Sequence, residues 1–519
     1  MVTDAHAMEK PVAIVTDDTG TEARSKTLDL DAQGLAQEGR AATDKYGVAL
    51  ASFDSKAEAR LRLKIDFAVV PLAALLFLFA FIDRANIGNA RLAGLEKDLG
   101  LQGNDYNAVN SIFYIPYIVF EIPSNYVCKV VGPGWYLPIL IIGFGATSVG
   151  TAYVHSFSEL AGVRFVLGMF EAGMMPGIAY YLSRWYRRSE LTFRMSIFVA
   201  MAPLAGAFGG LLASGILSIS HFGNLPGGSW RIIFVIEGII SVCVGLLCLA
   251  FLTDRPETAR WLSQEEKDLA IARIKSERIS VASVLDKPDA KKLWSGVANP
   301  VVLMTALTFL LETITVNGLA YFAPTIVRTI YPGKTVVQQQ LYTVPPYLVG
   351  AVCMLIMCFA SWKTDSRQVY LIIGAPMVMI GYIIFLSTRD ATARYVAMFF
   401  IASTAFTAGA LTHSQVSANV VSDSARTMAI GTNMFFANIG SLIATWSFLS
   451  WDGPDYPIGN GLNLATSSAW LLVATATWWW MKTDNKRRDA KDVDAELAGL
   501  DQGQIEDLDW KNPAFRWKL

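Results

Sequence analysis

About twelve apolar runs of membrane-crossing length, separated by short polar links, restrict this chain more than any other feature. A helix needs about 20 consecutive apolar residues to cross the hydrocarbon core. By length and flanks, the first six runs are 66–82, 107–127, 136–155, 161–182, 195–220 and 232–252. The second six are 301–325, 341–361, 369–387, 395–416, 428–449 and 462–481. They are called spans one to twelve below. The pattern predicts an all-α membrane protein of twelve transmembrane helices in two six-helix halves, with a cavity between them. The expected division is a disordered N-terminal region 1–64, a first half 65–253, a linker 254–298, a second half 299–482 and a tail 483–519.

Composition agrees. Hydrophobic residues make up 53% of the 519 and charged residues only 17%, against about a quarter in globular chains. A net charge of −1 gives no reason to expect a nucleic-acid partner. Lys56, Arg60, Arg62 and Lys64 precede span one; Arg184, Arg187, Arg188 and Arg194 fill the link after span four; Lys486, Arg487 and Arg488 follow span twelve. The links after spans three and eleven hold no Lys or Arg. The positive-inside rule therefore places both termini and the linker in the cytoplasm. The polar start has no cleavable signal pattern, so span one is expected to serve as signal anchor, with the plasma membrane as address. Cys128, Cys243, Cys248, Cys353 and Cys358 lie in or beside spans, without disulfide or metal spacing. With no nucleophile–base motif or phosphate-cradling loop either, an enzyme is the least favoured class, and no cofactor or metal is expected.

Ionisable residues inside the spans carry the functional signal. A charge at the bilayer centre costs roughly 2.5–3.5 kcal/mol on the gentlest scale. Arg164 and Glu171 share span four, seven residues and about 10 Å apart on nearly one face. That is too far for a direct salt bridge, but it suits two stations in one cavity. Arg164 would grip an anion with its planar fork and Glu171 would carry a proton. The alternative is that each pairs with a neighbouring helix. Asp83 and Arg84 follow the apolar run of span one, towards its outer end, where a plain interfacial cap is the competing reading. Glu121, Glu237 and Glu312 are further intramembrane acids, and His413 reads more simply as a hydrogen-bonded wall residue. Tyr114, Tyr117, Asn317, Tyr321, Asn419 and Asn438 are candidates for a polar pocket.

Glycine clusters in span five at Gly206, Gly209, Gly210 and Gly215, where small residues let membrane helices approach closely. Span four has Gly168, Gly173 and Gly177 with Pro176, an expected kink. In the linker, Ser263 with Glu265 and Glu266 reads as a helix N-cap with acids in the first turn. That helix is expected to lie on the cytoplasmic face and tie the halves together.

The segments Phe81-Ile-Asp-Arg-Ala-Asn-Ile-Gly-Asn-Ala90 and Arg164-Phe-Val-Leu-Gly-Met-Phe-Glu-Ala-Gly-Met-Met-Pro-Gly177 resemble those of the anion/cation symporters of the major facilitator superfamily. The resemblance is strongest to the fungal allantoate, nicotinate and pantothenate permeases. Trp185-Tyr-Arg-Arg-Ser-Glu190, Glu121-Ile-Pro-Ser-Asn125, Pro345-Pro-Tyr347 and Pro513-Ala-Phe-Arg-Trp517 extend it. It implies the major facilitator fold, with Asp83 and Glu171 as the protonatable pair. Arg84 and Arg164 would attract a substrate carboxylate or support that pair, and Tyr117 would contact substrate. One departure stands out: Asn125-Tyr-Val-Cys-Lys-Val-Val-Gly-Pro-Gly-Trp135, between spans two and three, lacks the acid of the superfamily's loop signature. Its second-half counterpart survives only as Lys363-Thr-Asp-Ser-Arg367.

The expected function is proton-coupled import of a small organic anion, with protons and the lipid bilayer as the other partners and a monomer as the working unit. Asn317, Tyr321 and Asn438 are expected beside Arg84, Arg164 and Tyr117 at the substrate. An exporter of organic acids or secondary metabolites and a non-transporting nutrient receptor are the alternatives. Aromatic residues in spans seven to eleven favour a ring-bearing monocarboxylate.

Overall fold

The computed structural model describes residues 54–218, 228–275, 290–421, 423–497, 499 and 508–519. The disorder expected for the N-terminal region falls mostly on residues outside these. Among the described residues, all regular structure is helical. Nine helices among those residues are long and apolar enough to cross a membrane, and Met428–Ala444 is a shorter apolar one. Spans two and twelve are the helices Asp105–Val131 and Pro457–Asp489. Tyrosines and prolines in the first, and tryptophans and threonines in the second, lower their mean hydropathy without shortening them. The twelve expected spans are thus all helices, six on each side of the linker.

The helix of span one runs from Ser55 to Leu92, capped by the Asp54 carboxylate on the Lys56 N–H. Its 38 residues reach about 57 Å, well beyond a hydrocarbon core of about 30 Å. The expected boundary at residue 64 therefore falls inside this helix. Asp83 and Arg84 do not form the interfacial cap of the competing reading, because two further turns, through Asn86, Asn89 and Arg91, continue beyond them. Polar residues in those turns ended the apolar run but not the helix.

Three spans are each made of two consecutive helical segments. Span four comprises Phe157–Glu171 and Met174–Ser183. Span five comprises Arg188–Val199 and Met201–Leu217; span ten, Ala391–Ala405 and Thr407–Ala418. Pro176 and Pro203 each stand third in the second segment, where a missing N–H costs least. The break in span four comes before Pro176, directly after Glu171. Gly173 lies there because a Cβ would come within 1.9 Å of the Ser124 hydroxyl of span two. Span ten breaks at Phe406 without a proline, so no comparable sequence signal marked it.

The halves meet along spans five and eight, one and seven, and two and eleven. A Cβ on Gly206 would lie 2.6 Å from the Tyr347 ring, and one on Gly210 would lie 2.8 Å from the Thr343 hydroxyl. Gly209 faces Asn89, whereas Gly215 has open space around it. At the end away from the termini, polar contacts bind the halves directly. Asn107 donates to Thr445 O at 2.6 Å, Ser111 and Thr445 share a 2.8 Å hydroxyl contact, and Ser450 donates to Gly103 O at 2.6 Å. That end is closed.

At the terminal end, the linker helix Gln264–Lys275 has the expected cap: Ser263 accepts from the Glu266 N–H while Glu266 accepts from the Ser263 N–H. The ion pairs seen among the described residues join it to the first half and not across the halves as expected. Its buried Arg273 pairs with Glu58 and Glu190, and Glu266 pairs with Lys64, all in the first half. After span six, Asp254 accepts from the Gly134 N–H and pairs with Arg184. It brings to the loop between spans two and three an acid that the loop's own sequence lacks.

The tail belongs to the second half. Trp517 donates its indole N–H to Asp484, and its backbone exchanges two hydrogen bonds with Asn485. Lys518 does the same with Asn419, which therefore anchors the tail and does not line a pocket as expected. Partial burial pushes the Asp484 carboxyl up, but Trp517 and Arg488 outweigh it and hold it below its usual range. A depressed folded value stabilises the anchor above the unfolded value and is lost as pH falls through the folded one. Trp517→Ala should lower the Tm, by an amount constant from about pH 8 to 5 and shrinking below about pH 4. Melting curves of both proteins across that range check this.

Candidate functional site

The apolar stretch of span one predicts a buried helix, and its continuation carries Asp83 and Arg84 to mid-depth. Leu92 ends the helix nine residues, about 13 Å, beyond Asp83. Span four presents Arg164 and Glu171 to the same interior because Gly168 lies between them. A Cβ there would come within 2.2 Å of Phe113 O, so spans two and four are in backbone contact.

Arg84 Nε donates to Glu171 Oε2 at 2.7 Å, with Glu171 fully buried. Glu171 thus pairs with a neighbouring helix, and Arg164 takes no part in that bond. The Arg84 guanidinium also lies 4.9 Å from the centre of the Tyr117 ring and 5.5 Å from that of Phe113. A contact of this kind adds about 0.5–1 kcal/mol when exposed and about 2 kcal/mol when desolvated. Arg164 is 3% exposed, and its Nε and Nη2 have no hydrogen-bond partner. Its guanidinium sits 5.7 Å from the Phe234 ring centre. Arg164 and Arg84 are the cations whose fields act on Asp83, which is buried with Oδ2 unpartnered. Both arginines also act on Glu171.

A narrow gap, too tight for a water molecule, is lined by Arg84, Asn110, Phe113, Arg164 and Tyr321. The hydroxyls of Tyr114 and Tyr321 meet across the halves beside it. Further along span two, Glu121 accepts from Asn438 Nδ2 of span eleven at 2.6 Å, another bridge between the halves. Of the expected site residues, Asp83, Arg84, Tyr117, Arg164, Glu171 and Tyr321 come together. Asn438 binds Glu121 and not this gap. Asn317 turns to Ser441 at 2.7 Å within the second half.

Asn110 and Phe113 were missed. Asn110, Tyr114, Tyr117 and Glu121 follow helical spacing along one face of span two, a signal the sequence did contain. His413 is the wall residue expected. It bonds Gly409 O and Met434 Sδ and lines a second gap with Met175, Met195 and Ile430. Glu312 accepts from its neighbour Thr313, and no group of metal-ligating side chains forms among the described residues.

Comparison with known proteins places this arrangement. Residues 73–445 match the Major Facilitator Superfamily. A protein called uncharacterized transporter C1039.04 from Schizosaccharomyces pombe is 34% identical, over 90% of this chain and 91% of its own. The MFS-type transporter efuF of Hormonema carpetanum is 30% identical, over 92% and 96%. Among solved structures, the proton:xylose symporter XylE bound to 6-bromo-6-deoxy-D-glucose superposes with a TM-score of 0.61 at 14% identity, covering 80% of this chain and 96% of that one. An inward-facing, unoccupied bacterial homologue of the human lysosomal transporter Spinster gives 0.58 at 16%, over 82% and 97%. At such identities the two structures speak for the fold alone. The chain belongs to the major facilitator superfamily: it is a multi-pass membrane transporter with fungal relatives.

Proposed function

We propose that this transporter imports a small organic anion with protons by alternating access, as a plasma-membrane symporter of the anion/cation type. The observation that carries the reading is the Arg84–Glu171 ion pair beside Arg164, whose Nε and Nη2 are unpartnered at the same gap. Two cations and two acids buried on spans one and four serve packing poorly, since buried ion pairs stabilise little. They suit an exchange of partners. A substrate carboxylate entering between the arginines would compete with Glu171 for Arg84. A proton on Glu171 would release Arg84 to the substrate. Each ligand then favours the other, and linkage makes that coupling reciprocal.

The charge balance requires the proton. One negative charge entering against 100 mV, inside negative, costs about 2.3 kcal/mol, and each accompanying proton cancels one such term. Closure by Asn107, Ser111 and Ser450 at the end away from the termini suits a state shut towards the outside, with both termini cytoplasmic. A heterocyclic monocarboxylate fits the aromatic residues around Arg84.

Glu171→Gln is expected to retain exchange of labelled substrate while losing accumulation driven by a pH gradient. Uptake and counterflow into proteoliposomes, across a panel of labelled carboxylates, measure both. Normal accumulation by Glu171→Gln rejects the assignment. Release from preloaded cells without uptake would reverse the direction.

A further inference from the structure

Glu237 in span six is a buried acid that the coupling above leaves unused. It is 2% exposed, and neither carboxyl oxygen has a hydrogen-bond partner. The adjacent Gly238 holds it hard against span three: a Cβ there would lie 2.7 Å from Gly145 O. One turn along span three, the Ser148 hydroxyl faces the Asp83 carboxyl. One turn back along span six, Phe234 lies beneath the Arg164 guanidinium.

The charged groups around this position are few. Span one contributes Asp83, on which Arg164 of span four and the adjacent Arg84 act in turn. The segments of spans three and five packed here hold no ionisable side chain. Arg231 of the same helix is turned away, to Ala152 O, Val154 O and Asp98 at the distal end. Three acids, Asp83, Glu171 and Glu237, therefore face two cations. Arg84 is committed to Glu171, and Arg164 acts on Asp83. Glu237 is the acid left over. A buried carboxylate with neither cation nor donor costs far more than a protonated one.

We infer that Glu237 is a third proton site, which holds a proton in the state seen here and passes it to Asp83 during transport. In that step the proton leaves a Glu237 oxygen for an oxygen of the Asp83 carboxylate. Glu237 becomes the anion as Asp83 becomes neutral, and the charge of the pair is unchanged. Arg164, relieved of Asp83, is then free for the substrate carboxylate. Glu237 is seven residues, about 10 Å, inside the distal end of its helix at Trp230, on the side from which a proton would refill it. The relay rests on the proton-coupled reading, but the resident proton is measurable without any transport.

Infrared spectra of the purified full-length protein in lipid nanodiscs provide the test. At pH 7, Glu237→Gln should lose the carbonyl-stretch intensity of one protonated carboxyl. It should keep the native Tm within a few degrees, because glutamine replaces a neutral group. Unchanged carbonyl intensity would overturn the inference. Should the glutamine variant fail to fold, Glu237→Asp retains a carboxyl and must shift that band, and an unshifted band is equally fatal. A negative result here leaves the Glu171 exchange experiment standing. Failure of proton coupling there would leave this band in place.

Discussion

Arg164→Lys is expected to lower uptake at limiting substrate by about 100-fold or more, with the protein still folded. The lysine keeps a positive charge near Asp83, so the field that steadies that acid survives. It loses the planar fork, and with it the two parallel hydrogen bonds a carboxylate would receive. Hydrogen bonds to charged groups contribute about 1.5–3 kcal/mol each, and about 1.4 kcal/mol is a tenfold change. Folding should be little affected, because Nε and Nη2 have no protein partner to abandon. Arg84 provides the contrast. Arg84→Ala strands Glu171 as an uncompensated buried acid, a loss of about 3–5 kcal/mol of stability. Initial uptake rates, normalised to the amount of protein at the cell surface, separate the two variants. Native rates for Arg164→Lys would make that arginine a packing residue.

The second large effect is mechanical. Gly168→Val should lower the Tm by roughly 6–12 °C, the shift expected for about 3 kcal/mol in a half of this size. The atom opposing a new Cβ is Phe113 O at 2.2 Å, and Pro116 Cγ follows at 2.9 Å. Backbone cannot swing aside as a flexible side chain does, so spans two and four must part. Span two carries Tyr114 and Tyr117, so the setting of Arg84 against Glu171 would loosen as well. Gly162→Val, on the same helix with nothing within 4 Å, is the matched control and should melt like the native protein. Equal melting of both variants would show that the close approach contributes nothing.

These two predictions draw on different kinds of information. Span lengths, the six-plus-six division, the Ser263 cap and the burial of Arg164 and Glu171 were all legible along the chain. Each depends on residues within a few turns of one another. The continuation of span one past Asp83 was less visible. Apolar content marks where a helix meets lipid, not where it ends, and polar Asn86, Asn89 and Arg91 are tolerated because other helices cover them.

What the sequence determined by itself was a twelve-helix membrane transporter with charges it could not expose to lipid, because local hydrophobicity and length decide whether a helix crosses. Only the tertiary structure decided the partners. Glu171 took Arg84 from another helix, Asn438 went to Glu121, Asn419 to the tail, and the linker helix paired with Glu58, Lys64 and Glu190 beside the first half. The reason is that such bonds depend on which helix faces meet, and close packing at glycines such as Gly168 and Gly206 fixes that across hundreds of residues.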